Sequence, residues 1–126
     1  MARINFELGE FPKGYFVFWT VCTHCANRVN VKLNVGGSAF FEANKTDSSE
    51  ELKVIQQKSG TLTAAKPELA IEVEGAAKLQ QSMVSGLIAD DRAQRVGFVY
   101  DFCIESGNAD LFDDVYVNIV GWERKG

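Results

Sequence analysis

Val96-Gly97-Phe98-Val99-Tyr100-Asp101-Phe102-Cys103-Ile104-Glu105 decides the fold class. Val96, Phe98, Tyr100, Phe102 and Ile104 fall on one parity; Gly97, Val99, Asp101, Cys103 and Glu105 fall on the other. A period of two is that of a strand with one buried face and one wet face. The same period recurs outward from this segment. Ile4, Phe6 and Leu8 alternate with Arg3, Asn5 and Glu7; Val29, Val31, Leu33 and Val35 with Arg28, Asn30, Lys32 and Asn34; Leu69, Ile71 and Val73 with Glu68, Ala70, Glu72 and Glu74. Tyr15 to Cys22 and Val115 to Val120 are apolar on both parities, which predicts central strands covered on both sides.

Turn chemistry separates these runs: Phe11-Pro12-Lys13-Gly14, Asn34-Val35-Gly36-Gly37, the polar run Asn44 to Ser49, Lys58-Ser59-Gly60 and Ser106-Gly107-Asn108. Two segments are ambiguous. Ser48 to Lys58 opens like a capping box, with Glu51 three residues after Ser48, but Leu52, Val54 and Ile55 make no helical stripe, which favours a strand. Lys78 to Ile88 mixes helix formers with Gly86 and Val84 and is also read as a strand. Turns about ten residues apart predict an all-β protein, an antiparallel β-sandwich of about nine to ten strands.

The chain has 126 residues, one domain over 1–126 by the usual length prior. At this size a fold buries roughly two-thirds of its unfolded surface, enough for a core without staples. Hydrophobic residues at 46% and charged residues at 24% describe an ordinary globular chain rather than a disordered one. The net charge of −4 argues against nucleic-acid binding, which needs a basic surface to displace counterions. No apolar run approaches the ~20 residues of a transmembrane segment. The N-terminus has no signal-peptide core, so the expectation is a protein that is cytoplasmic or released without a conventional signal peptide. Three cysteines, with Cys103 far from Cys22 and Cys25, make no disulfide framework and fit a reducing compartment.

Two clusters could carry chemistry. Glu105 to Asp114 concentrates oxygen side chains between two strong strands, a pattern able to supply much of the six- to eight-oxygen shell of Ca²⁺; it reads otherwise as a solvated acidic hairpin loop. Cys22-Thr23-His24-Cys25 could begin a zinc site or form a redox pair, but two small thiols at a strand end are the simpler reading. The aromatic residues mostly alternate into a core, with Trp19 and Trp122 the two best placed in type to stack on a sugar. No nucleophile-base set, phosphate loop or defined carboxylate cleft emerges, so the chain is not read as an enzyme.

Taken together, the chain resembles the calcium-dependent, fucose- and mannose-binding bacterial lectins of the soluble lectin II type. The resemblance is carried by Phe11-Pro12, the aromatic strand Tyr15 to Val21, the Cys22 to Cys25 loop, Val29-Asn30-Val31, and above all the end of the chain. There Phe98 to Ile104, Glu105, Gly107, Phe112-Asp113-Asp114, Val115 to Val120, Trp122 and Gly126 follow the family's order. The resemblance implies a bacterial lectin-like, carbohydrate-binding sandwich that forms a homodimer or higher homo-oligomer. It implies Ca²⁺ held by Glu105, Asp113 and Asp114 with Asp110 substituting, and sugar contacts from Thr23, His24, Gly107 and Asp110. The departures are Ala109 and Leu111, where the family has aspartates bridging two ions; Cys22, where it has an asparagine; and Gly126, which lies further beyond Asp114 than in the family. They imply a reduced metal site. The alternative is a metal-free sandwich acting as a protein–protein interaction or assembly subunit, or as the cell-surface-recognising part of a toxin.

Overall fold

Alternating side chains can be buried on one face only, so strands of this kind must pair into sheets and stack those sheets face to face. The computed structural model describes residues 2–107 and 113–123, and it does so with nine strands: β1 (Ala2–Glu7), β2 (Phe16–Thr23), β3 (Val29–Val35), β4 (Ser38–Lys45), β5 (Lys53–Thr61), β6 (Glu68–Val73), β7 (Gln80–Ala89), β8 (Arg95–Glu105) and β9 (Val115–Trp122). They form a four-stranded sheet, β1-β6-β3-β4, and a five-stranded sheet, β5-β2-β9-β8-β7, with every pairing antiparallel. This is the all-β antiparallel sandwich expected, with no helix among the described residues.

The core lies between the sheets. Val17, Trp19 and Val21 of β2, Val117 and Ile119 of β9, and Phe102 and Ile104 of β8 face Val31 and Leu33 of β3, Phe41 of β4 and Leu69 and Ile71 of β6; all are buried. Aromatic rings bridge the layers: Phe6 to Phe102 at 4.5 Å between centroids, and Trp19 to Phe41 at 5.2 Å. Trp19 is wholly inside and donates its indole N–H to Gln56 Oε1 at 3.0 Å. That satisfies the one polar atom of a large core side chain and removes Trp19 from any sugar-stacking role.

The two ambiguous segments are strands. β5 begins at Lys53, leaving 48–52 as loop, and β7 spans Gln80–Ala89. The expectation that Tyr15 to Cys22 is covered on both sides is corrected. β2 is central in its sheet, yet Phe16 and Phe18 are exposed on its outer face. A two-layer sandwich has only one interior, so an apolar outer parity remains at the surface unless something else covers it. On β9 the outward Tyr116, Asn118 and Val120 are half-buried. The four-stranded sheet shows the opposite character: Arg3, Asn5, Glu72, Asn30, Lys32 and Glu42 lie on its outer side.

Candidate functional site

The hairpin β8–β9 builds the site. Its ladder pairs Phe102 with Val117 and Ile104 with Val115, so the next residues outward, Glu105 and Asp114, arrive opposite each other at its mouth. The ladder continues through Asp114 N–H donating to Ile104 O at 3.0 Å. On the other side β2 pairs with β9 up to Thr23 opposite Val115, and the His24 N–H donates to Asp114 O at 2.8 Å. Two ladders therefore bring the acidic loop and the Cys22-Thr23-His24-Cys25 loop to one pole of the sandwich.

Glu105, Asp113 and Asp114 each offer a carboxylate oxygen, and these three atoms lie within 4.8 Å of one another. Oxygens around a single Ca²⁺, each about 2.3–2.6 Å from it, sit no more than about 5 Å apart, so the three fit one coordination sphere. The donor set is all hard oxygen, which suits calcium and does not suit zinc. Glu105 is buried; Asp113 and Asp114 are half-buried. The neighbouring backbone holds them in place. Asp114 Oδ2 accepts from Ser106 N–H and from Ser106 Oγ, both at 2.7 Å, and Glu105 Oε2 accepts from Gly107 N–H at 2.8 Å. His24 Nδ1 lies 3.5 Å from Asp113 Oδ2.

The structure sorts the expected residues. It brings Glu105, Asp113 and Asp114 together, with His24 beside Asp113 and Gly107 beside Glu105. Asp110 lies outside the described residues. Thr23, expected to contact sugar, lies on the inner side of β2. Thr23 shares the inward parity of Val17, Trp19 and Val21, is fully buried, and its Oγ1 has no hydrogen-bond partner among the described residues. Gly107 spends its amide on Glu105 and so positions a carboxylate. Ser106 was missed: an isolated serine has no periodic signal, and only the hairpin register shows that it reaches Asp114.

The three cysteines are free thiols. Burial pushes the Cys22 thiol up; at Cys25 burial does the same, helped by the Asp114 and Asp113 carboxylates and opposed by a hydrogen bond at the Asn27 backbone and by Lys45. A raised thiol is a poor nucleophile and a poor thiolate ligand. The acidic trio is the one group of three or more metal-ligating side chains among the described residues, so Cys22, Cys25 and His24 gather no zinc site there. Trp122 is exposed at the far end of β9 from Val115. At that far pole a cleft of about 680 Å³ is lined by Phe11, Lys13, Tyr15, Lys66, Arg95 and Glu123, among others. There Arg95 is held by Glu10 Oε1 at 2.8 Å, the Glu10 carbonyl and Tyr15 Oη at 2.9 Å.

Three solved structures share this arrangement over 96% of both chains. They are the Chromobacterium violaceum lectin CV2L in complex with alpha-methyl-fucoside (TM-score 0.64, 16% identity), the C-terminal domain of the BC2L-C lectin from Burkholderia cenocepacia (0.67, 13%) and the Ralstonia solanacearum high-affinity mannose-binding lectin (0.66, 15%). The chain has the fold of these lectins. No protein-family model and no curated protein matches the sequence.

Proposed function

We propose that this chain is a lectin-like carbohydrate-binding module, without enzymatic activity, whose ligand site is the acidic pole. The observation that carries the reading is the convergence of Glu105, Asp113 and Asp114 within one calcium-sized sphere, at the mouth of a hairpin in a lectin fold. Those three residues would hold one Ca²⁺, with Asp110, backbone carbonyls and water completing the shell. The bound ion supplies coordination positions for two vicinal sugar hydroxyls. This chain's own residues do the rest. Ser106 and Gly107 orient the carboxylates, Glu105 is shielded from water, and His24, partly exposed beside Asp113, is placed to hydrogen-bond a sugar hydroxyl. Fucosides and mannosides are the sugars to try first, since the CV2L and Ralstonia lectins are described with them.

The test is isothermal calorimetry with calcium, then a glycan array with and without chelator. The reading expects calcium binding at one site per chain and chelator-sensitive sugar binding. Sugar binding indifferent to chelator, or no calcium heat at all, overturns the calcium-assisted form. An array without signal under both conditions overturns the sugar reading and promotes an interaction or assembly role.

We propose in addition that the protein self-associates. The exposed Phe16 and Phe18 on one sheet and the bare strand edges support it. Light scattering at micromolar concentration tests it, and a single-chain mass refutes it.

A further inference from the structure

The pole opposite the acidic one carries a cleft that the sugar reading leaves unused. Four segments meet there: the turn from β1 to β2, the turn from β5 to β6, Arg95 at the start of β8 and Glu123 just after β9. Backbone hydrogen bonds tie the two turns together. Gly14 N–H donates to Leu62 O at 3.0 Å, Leu62 N–H to Tyr15 O at 2.8 Å and Lys66 N–H to Phe11 O at 3.0 Å. Phe11 and Tyr15 are buried and press on β9, where a Cβ at Gly121 would lie 2.6 Å from Phe11 Cε1 and 3.1 Å from Tyr15 Cδ2. The cleft these residues line is therefore built into the folded framework. Its volume, about 680 Å³, is that of a small-molecule site.

Charge decides what the cleft suits. Lys13, Lys66 and Arg95 line it with Glu10 and Glu123, so three cations face two carboxylates in a chain whose net charge is −4. Arg95 is committed to the framework: its Nη1 pairs with Glu10 Oε1 at 2.8 Å, and its guanidinium lies 5.6 Å from the Tyr15 ring centroid and 5.3 Å from that of Phe98. Lys13 and Lys66 are exposed and form no ion pair among the described residues. One positive charge in excess matches one negative charge on a ligand. A phosphate monoester, with nearly two charges, would also meet Glu10 and Glu123. Those same carboxylates are acceptors for hydroxyl groups.

We propose that the far-pole cleft binds a saccharide carrying a single carboxylate or sulfate group. Lys13 and Lys66 take the anionic group through charge-assisted hydrogen bonds, and the Glu123 carboxylate accepts from sugar hydroxyls. The anionic group follows from the cleft's own charge; that a sugar bears it rests on the carbohydrate-binding reading above. Binding here needs no metal ion, so calcium and chelator separate the two poles.

Calorimetry in chelator tests this, with methyl glucuronide, a sulfated glucose, methyl glucoside and inorganic phosphate as probes. At least one acidic sugar is expected to bind, the tighter of the two naming the group. The neutral glucoside should bind about tenfold more weakly or worse, and added salt should weaken the acidic sugar. Lys13→Gln and Lys66→Gln are each expected to weaken the acidic sugar about tenfold, with circular dichroism and melting unchanged. No heat from either acidic sugar, equal binding of the neutral glucoside, or full affinity in the variant carrying both substitutions overturns the site. Phosphate binding as tightly as the acidic sugars overturns the saccharide assignment. Calcium-dependent sugar binding at the acidic pole should survive both substitutions. Its absence from the wild type overturns that reading and leaves the far-pole measurement to stand by itself.

Discussion

Asp113 and Asp114 are neighbours with different duties, and replacing them separately distinguishes a metal site from a solvated acidic turn. Asp114 Oδ2 accepts two hydrogen bonds from Ser106 at 2.7 Å each, closing the mouth of the β8–β9 hairpin. Hydrogen bonds to charged groups contribute about 1.5–3 kcal/mol apiece when buried, and a half-buried carboxylate warrants a discount to about 1–3 kcal/mol for the pair. At about 2.1 cal/mol/K per residue, a 126-residue chain unfolds with an entropy of about 0.26 kcal/mol/K. Asp114→Ala in chelator should therefore lower Tm by about 4–11 °C. Asp113 holds no such bond among the described residues and lies 3.5 Å from His24, so Asp113→Asn in chelator should leave Tm within about 2 °C, corresponding to at most ~0.5 kcal/mol. Calcium changes the comparison. At a hundredfold excess over Kd, binding to the folded state alone adds about 2.7 kcal/mol, or about 10 °C for this chain. The wild type should show that rise and both variants should lose it. Scanning calorimetry in chelator, calcium and magnesium measures all of this. A wild type equally indifferent to calcium and magnesium, or variants that keep the full calcium shift, would refute the site. An Asp114→Ala protein as stable as wild type in chelator would refute the hairpin-closing role.

Gly97 of β8 lies opposite Trp122, and Gly121 of β9 lies opposite Phe98 and against Phe11: a Cβ at Gly97 would lie 2.6 Å from the Gly121 carbonyl oxygen, and one at Gly121 would lie 2.6 Å from Phe11 Cε1. Alanine at either should cost about 1–3 kcal/mol by denaturant titration, while Gly86→Ala, with nothing within 4 Å, should be neutral. Asp47 is held down to about 2 by the Lys53 side chain first, then the Ser49 amide and Lys45. Its folded value lies below its unfolded one, so its contribution is complete above the usual carboxylate range and disappears as pH falls toward 2; an NMR titration midpoint near 4 would refute the pairing. Thr23→Val removes a buried hydroxyl that has no partner among the described residues and should be neutral or stabilising by about 0–2 kcal/mol, with sugar affinity unchanged; a loss of affinity would return Thr23 to the site.

The strands were legible because alternation and burial express the same constraint. Val29, Val31, Leu33 and Val35 announce their inward face, and all four are buried. The polar turns that bracket β4 announced its limits. What covers an apolar outer parity was not legible. Phe16 and Phe18 read as interior because hydrophobicity records a preference for burial and says nothing of which surface supplies it. At the site, Glu105 and Asp114 could be found because a hairpin sets strand ends opposite each other. The parity of Thr23 with Val17, Trp19 and Val21 points it inward, whereas the sugar contact expected of it comes only from the resemblance of its loop to the family's. Ser106 depends on one hydroxyl reaching across the hairpin, a detail that exists only once the chain is folded.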